Sequence, residues 1–456
     1  MSYKRATRAA VAVLSATALL SFAACSSGTD NGGGGGTTDC AAYEAYGDLT
    51  GKTVTVFTSI ASDSEAKPHT DSYIPFEECT GATIKYEGSR DFEAQLPVRI
   101  KAGNAPDIAY IPQPGLLNTL VTDNPGKVFA AGDLATKNVD TYYAPEWKTY
   151  GSVDGTFYAV PVGANVKSFV WYSPSMFADK GYAVPTTWDE MMALTDTISK
   201  TNEGASRPWC AGIESGGATG WPATDWVEDV MLRENGPEVY DQWVSHEIPF
   251  NDPKVVSALN KVGAILKNPA YVNGGLGDVK SIATTSFTEA GLPVADGQCY
   301  MHRQASFYQA NWDEGTTVGE DGDVWAFYLP SMTPDTKPVL GGGEFAAAFS
   351  DRPEVQAFQA YLASPEWSNA KAKATPNGGW LSANKDLDPN NLTKPIDRLS
   401  YEILSDDQAV FRFDGSDLMP SAVGAGSFWK QMTNWIALNK SSQEVADAIE
   451  KSWPKK

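Results

Sequence analysis

The chain has 456 residues, with 56 acidic against 35 basic side chains and a formal charge of −21, which makes nucleic acid and anionic lipid poor partners for its surface. It is long enough for two lobes, and its 14 Trp and 19 Tyr supply many flat apolar faces. Beyond the first two dozen residues no apolar run approaches the roughly 20 residues that a spanning helix needs.

Lys4, Arg5 and Arg8 precede an uncharged run from Ala9 to Ala24, too short and too weakly flanked to remain in a bilayer, so residues 1–24 read as an export signal. Its removal takes away three positive charges and no acid, moving the formal charge from −21 to −24. Cys25 follows Leu20-Ser21-Phe22-Ala23-Ala24. A cysteine behind small residues at the end of an export signal resembles the bacterial lipobox, whose thiol receives a lipid anchor, although Phe22 stands where leucine is usual. Plain secretion is the alternative. The stretch "SSGTDNGGGGGTTD" favours the anchor, because a glycine-serine leash over residues 25–48 lifts a domain off a surface.

Strand-like runs follow at Thr53–Thr58, Thr83–Tyr86, Asp107–Ile111, Phe169–Tyr172, Val324–Leu329 and Phe345–Phe349. Helical segments lie between them. Thr187 with Glu190 forms a capping box for a helix through Ile198, and Asp252-Pro253 starts a helix carrying Val256, Leu259, Val262 and Leu266. Asp351 with Glu354, and Ser441 with Glu444, repeat the box signature. Strands alternating with helices predict an α/β protein. Cys40, Cys79, Cys210 and Cys299 are an even set in an exported chain and admit two disulfides in three connectivities; Cys40 with Cys79 and Cys210 with Cys299 is the expected pairing. No C-x-x-C spacing occurs and there are 3 His, so no metal or other cofactor is expected.

The segment "DGTFYAVPVGANVKSFVWYSPSMFADKGYAVPTTWDEMMAL" resembles the first interlobe crossover of the extracellular sugar-binding proteins of ABC importers, the large maltose-binding-protein-like class. "KAGNAPDIAYI", "KPVLGGGEFAAAFS" and "MPSAVGAGSFWKQMTNWIALNKSSQEVADAIE" extend the likeness over most of residues 50–453. "GWPATDWVEDVMLRENGPEVYDQW" and "MHRQASF" are similar to the branch that binds α-glucosides such as trehalose, sucrose or maltose. The resemblance implies a two-lobed Venus-flytrap fold with three crossings: lobe one at 50–165 and 343–366, lobe two at 166–342 and 367–456. It also implies a di- or oligosaccharide ligand, a permease partner, a monomer, and a place at the outer face of the cytoplasmic membrane.

A sugar offers hydroxyls and one apolar C–H face, so its receptor needs charged or planar polar groups and aromatic rings. In open α/β sheets ligands lie beyond the carboxyl ends of strands. That places the polar burst of residues 59–65, with Ser59, Asp63 and Glu65 in it, on a cleft rim, Arg90 with Asp91 at a terminal glucose, and Gln113 in the same ring of strand ends. Asp107 is expected to cap backbone amides instead. From the other lobe come Asn165 and Lys167 at the crossover, Trp221 as a stacking platform held on a loop, Asp225, Arg303 and Gln304, with Trp226 read as core. Trp312 is expected to close the far end of the site from the loop Phe307–Glu314. "LGGGE" brings bare backbone at Gly342 and Gly343 beside the cleft, followed by Glu344. Trp380 and Asp414, the latter paired with Arg412, complete the set with Trp429, which aligns with an aromatic that stacks on sugar in the maltose-binding relatives. Each of these positions also has an ordinary structural reading as helix cap, surface ion pair, hinge or core.

Two other classes remain. A glycoside hydrolase would need two carboxylates roughly 5 to 10 Å apart, for which Asp225, Glu228 and Asp229, or Asp414 and Asp417, could be proposed. A surface adhesin would explain the leash and charge but not the two-lobed pattern. No G-x-S-x-G or H-E-x-x-H motif occurs, and "YGDLTGKT" misses the P-loop by one residue.

Overall fold

The computed structural model describes residues 39–201, 206–333, 336–406 and 408–455. The export signal, Cys25 and most of the leash lie outside them. Among the described residues no helix is long and apolar enough to cross a membrane.

Two hydrophobic cores organise the chain. The first draws on residues 43–164 and 345–367, with Phe413; the second draws on 166–340 and 396–449. Over the first lies a five-stranded sheet in the order Thr83–Gly88, Thr53–Thr58, Ile108–Ile111, Phe345–Ala348, Ala159–Pro161. Its first three strands run parallel, and Phe345–Ala348 runs antiparallel to both of its neighbours. Parallel strands need helical crossovers, which Asp63–Thr80 and Phe92–Ala102 supply. Val54, Val56 and Phe57 are fully or almost fully buried, as befits a strand covered on both faces.

The second core carries a four-stranded sheet in the order Trp325–Tyr328, Phe169–Tyr172, Cys299–Gln304, Arg207–Trp209. A third sheet pairs Pro338–Gly342 with Val410–Phe413 and with Asn165–Val166. The chain changes core between Ala164 and Val166, and again between Leu340 and Phe345, so two passages between lobes lie on or beside this small sheet. A further passage falls between Trp367 and Ile396, around a small cluster of Ala372, Leu381, Leu387 and Leu392. The architecture is a two-lobed α/β fold.

Local signals resolve in detail. The Thr187–Glu190 box forms, with the Glu190 amide donating to the Thr187 hydroxyl at 3.2 Å, and the Ser441–Glu444 box forms likewise. Asp252 caps Pro253–Leu266 through the Lys254 amide. The Asp351–Glu354 box does not form: the helix starts at Pro353 with Arg352 as cap, and Glu354 pairs with the Arg352 guanidinium, a stronger partner than a backbone amide. Asp107 accepts from the Thr55 amide and pairs with Arg352. Cys40 is bonded to Cys79 and Cys210 to Cys299, with Cα separations of 5.3 and 5.7 Å.

Candidate functional site

A cavity of about 340 Å³ opens between the lobes. One wall is made by chain leaving the carboxyl ends of the parallel strands. After Thr53–Thr58 come Ser59 and the first turns of the next helix, whose Glu65 and His69 face the cavity one turn apart; Gln113 follows Ile108–Ile111. Arg90, Gly343 and Glu344 also line this side. The "GGG" run packs by close approach and not by unusual backbone angles: a Cβ at Gly343 would stand 2.3 Å from the Gly163 carbonyl, and one at Gly341 would meet the Phe411 ring at the same distance.

The facing wall is aromatic. Trp221 is the first residue of the helix Trp221–Val244, not a loop residue, and its ring meets Phe287 edge-on at 5.0 Å and Phe307 at 6.0 Å. Asn165, Lys167 and Trp429 join it, and the Trp429 indole N–H donates to the Ser416 hydroxyl at 3.2 Å. Trp380 closes a third side with Lys371, whose ammonium lies 5.0 Å from the indole centroid.

The remaining sequence candidates sit off the cavity, for distinct physical reasons. Asp63 and Asp91 are exposed at helix starts and are not among the residues that line the cavity. Gln304 is fully buried on its strand, where its amide oxygen accepts from the Ala305 N–H. Trp312 packs in the second core against Trp171 and Tyr308, and Phe307 is the aromatic that its loop presents to the cleft. Gly342 lies behind, against Asn165 and the Lys167 stem. Arg412 forks onto Asp241 at the surface instead of meeting Asp414, because Asp414 turns inward as the cap of Gly415–Leu418.

Asp225, Asp414 and Arg303 form a buried charge network behind the aromatic wall. The Lys167 ammonium donates to Asp414 and, at 3.1 Å, to Asp225, while lying 5.4 Å from the Trp221 ring centroid. Arg303 extends the chain inward, donating to Asp225 Oδ2 at 3.0 Å and to Asp229, which also holds Ser168 and Arg233. Burial alone would lower the Lys167 pKa, but Asp225 and Asp414 outweigh it and hold the lysine well above its ordinary value. Burial, with Asp414 close by, pushes Glu228 and Asp417 well up. The three carboxylates Asp225, Glu228 and Asp414 come within 4.8 Å of one another, and the cation between two of them is the protein's own lysine.

Glu65 lines the cavity as the rim reading expects, whereas His69, Glu93, Phe287, Phe307 and Lys371 are lining residues that the sequence reading missed. His69 was findable, since it stands at i+4 from Glu65 and such a pair opening a helix at a strand's carboxyl end shares one face. Lys371 was not, because nothing around it marks a turn of helix as part of a cleft. Burial, then the charge of Glu65, raises Glu344 to about 7, and burial lowers Lys371 to about 7. Glu93 Oε2, Gln113 Oε1 and Asn165 Oδ1 are buried with no protein partner. Hydroxyl groups are donors of the kind these oxygens lack.

Asp397 supports this region from beneath: its carboxylate accepts from the Gly379 N–H at 3.0 Å, beside Trp380. Burial raises its pKa from 3.8 to about 7. An acid raised on folding contributes stability that is complete below its unfolded pKa and lost as pH climbs through the folded one. Asp397→Asn is therefore expected to flatten the decline in stability between pH 4 and 7, read as urea midpoints across that range. A variant profile parallel to wild type would contradict the assignment.

Residues 58–369 match the family described as bacterial extracellular solute-binding protein. The chain is 41% identical over 423 residues to the alpha-glucosides-binding periplasmic protein AglE of Rhizobium meliloti (strain 1021), covering 89% of this chain and 88% of that one. It is 39% identical over 422 residues to the osmoprotective compounds-binding protein GgtB of Synechocystis, covering 92% and 96%. Among solved structures, the bacterial solute receptor AcbH superposes with a TM-score of 0.72 at 18% identity, over 88% of this chain and 98% of the other. Maltose-bound MalE3 of T. maritima superposes at 0.64 and 17% over 88% and 98%, and both likenesses bear on the fold alone.

Proposed function

The chain belongs to the bacterial extracellular solute-binding protein family, and from that premise we propose that it is the sugar receptor of an ABC importer, capturing an α-glucoside in the interlobe cleft and delivering it unaltered to the permease. Members of this family are receptors and not enzymes, which sets the hydrolase reading aside. The observation that carries the ligand class is the opposition of one indole-centred wall to a wall of carboxylate, amide and hydroxyl groups across a single cavity. A volume of about 340 Å³ is at the small end of ligand sites and suits a disaccharide better than a long oligosaccharide. The identity with AglE supports the glucosidic linkage.

Within this reading lobe one extends beyond the expected 50–165 and 343–366 at both ends, taking in Tyr43, Tyr46 and Trp367, and lobe two is residues 166–342 with the chain that follows the third passage, in place of the expected 367–456. The mature protein is a monomer tethered through Cys25 to the outer face of the cytoplasmic membrane. Of the sequence candidates, Ser59, Arg90, Gln113, Asn165, Lys167 and Glu344 serve the hydroxyls, and Trp221, Trp380 and Trp429 serve the ring faces. The identity with GgtB supports a second reading, in which the solute is an osmoprotectant.

The test is a thermal-shift panel of maltose, trehalose, sucrose, free glucose and a non-sugar osmoprotectant such as glycine betaine, with each sugar recovered afterwards. An α-linked disaccharide at 100 times its Kd is expected to stabilise the fold by about 2.7 kcal/mol and to be recovered intact. A shift with betaine alone selects the second reading, and no shift or cleaved sugar overturns the first.

A further inference from the structure

Glu214 has no part in the ligand site described above, yet it ties the lobes together at the mouth of the cleft. It follows Ile213 of the second core, whereas Arg90 stands two residues before Phe92 of the first. Glu214 Oε2 accepts from Arg90 Nη2 at 2.7 Å, and its Oε1 accepts from the Gly216 N–H, also at 2.7 Å. The Gly217 N–H donates to the Arg90 carbonyl at 3.1 Å. Gly216 has φ +58°, and a Cβ there would stand 2.7 Å from that same carbonyl, so glycine is what lets the turn approach so closely. One carboxylate thus shapes the turn from its own lobe and grips the guanidinium of the other.

Arg90 also lines the cavity, so its position beside an occupant is set from the opposite lobe. These bonds join the two lobes, so any hinge opening of the cleft has to break them. From this geometry we infer that Glu214 is a positioning residue for closure: it holds Arg90 across the mouth once the ligand is inside and slows release. The inference rests on the receptor reading above. The two side chains are 51% and 29% exposed, so the pair is screened by salt and its effect is modest.

Stopped-flow release of trehalose, maltose and sucrose from the full chain tests it. Glu214→Gln keeps the oxygen that holds Gly216 and removes the charge. At low ionic strength it is expected to release ligand about two- to fivefold faster, the range open to an exposed ion pair, with association little changed. The difference is expected to vanish at high salt. In R90Q the same substitution is expected to add nothing, because the partner has already gone. Wild-type release from Glu214→Gln at low salt, or a further acceleration in the double variant, overturns the inference. If no saccharide binds the wild-type chain, the receptor reading fails, and the coupling is decided separately by small-angle scattering. A larger radius of gyration for unliganded Glu214→Gln than for wild type at low salt then supports it, and equal radii overturn it.

Discussion

Trp221→Ala is expected to weaken binding of an α-glucosyl disaccharide by about 30- to 1000-fold, the loss of roughly 2–4 kcal/mol typical of a buried aromatic anchor. The indole is fixed before any ligand arrives: Phe287 and Phe307 pack against it and Lys167 lies over its face, so little rotamer freedom remains to be lost on binding. The residue is only partly buried and opens a helix, so the fold should survive its truncation. Titration calorimetry reads the change, with unaltered far-ultraviolet circular dichroism as the control for folding. Wild-type affinity in the variant would remove Trp221 from the site. Asp91→Ala, on an exposed cap outside the cavity, serves as the comparison and is expected to change affinity little.

The second large effect concerns stability. Arg303→Met is expected to cost about 3 kcal/mol, measured by urea denaturation, at the low end of what removing one member of a buried ion network costs. Arg303 is fully enclosed and bonds Asp225 and Asp229 together, and methionine fills much of the volume but supplies no donor. Lys167 still serves Asp225 and Arg233 still serves Asp229, which keeps the cost from rising further. A variant as stable as wild type would show that the network is neutral to folding. Any loss of sugar affinity should follow from the displacement of Lys167, since Arg303 does not line the cavity.

How much of this was legible beforehand depended on whether the signal was local. Thr53–Thr58 and Phe169–Tyr172 were readable to the residue because short apolar runs bounded by polar turns have few other solutions. The Ser441–Glu444 cap was readable because both partners lie within four residues. Glu354 was not, because its choice between a backbone amide and Arg352 depends on side-chain geometry. The polar burst after the first strand marked Ser59 and its neighbourhood correctly as cavity wall, by the rule that ligands gather at strand ends. Trp312 shows where such reading stops: Phe307 and Trp312 share one loop, and which ring faces inward is decided by Trp171 and Tyr308, neighbours more remote in the fold. Arg303 and Asp225 likewise carry the residue types of a sugar site while bonding within a buried network that includes Lys167 and Asp229, a distinction that composition and spacing do not contain.

The bridge from Cys40 to Cys79 has a mechanical corollary. Cys79 lies near the last turn of Asp63–Thr80, whereas Glu65 and His69, which touch the cavity, occupy its first turns. A pull or a bulky label applied ahead of Cys40 is therefore expected to be taken up at the end of this helix that is remote from the cavity. Jaw movement can proceed while the molecule is held from behind, and fluorophores or surface linkages placed at that end should leave capture unimpeded.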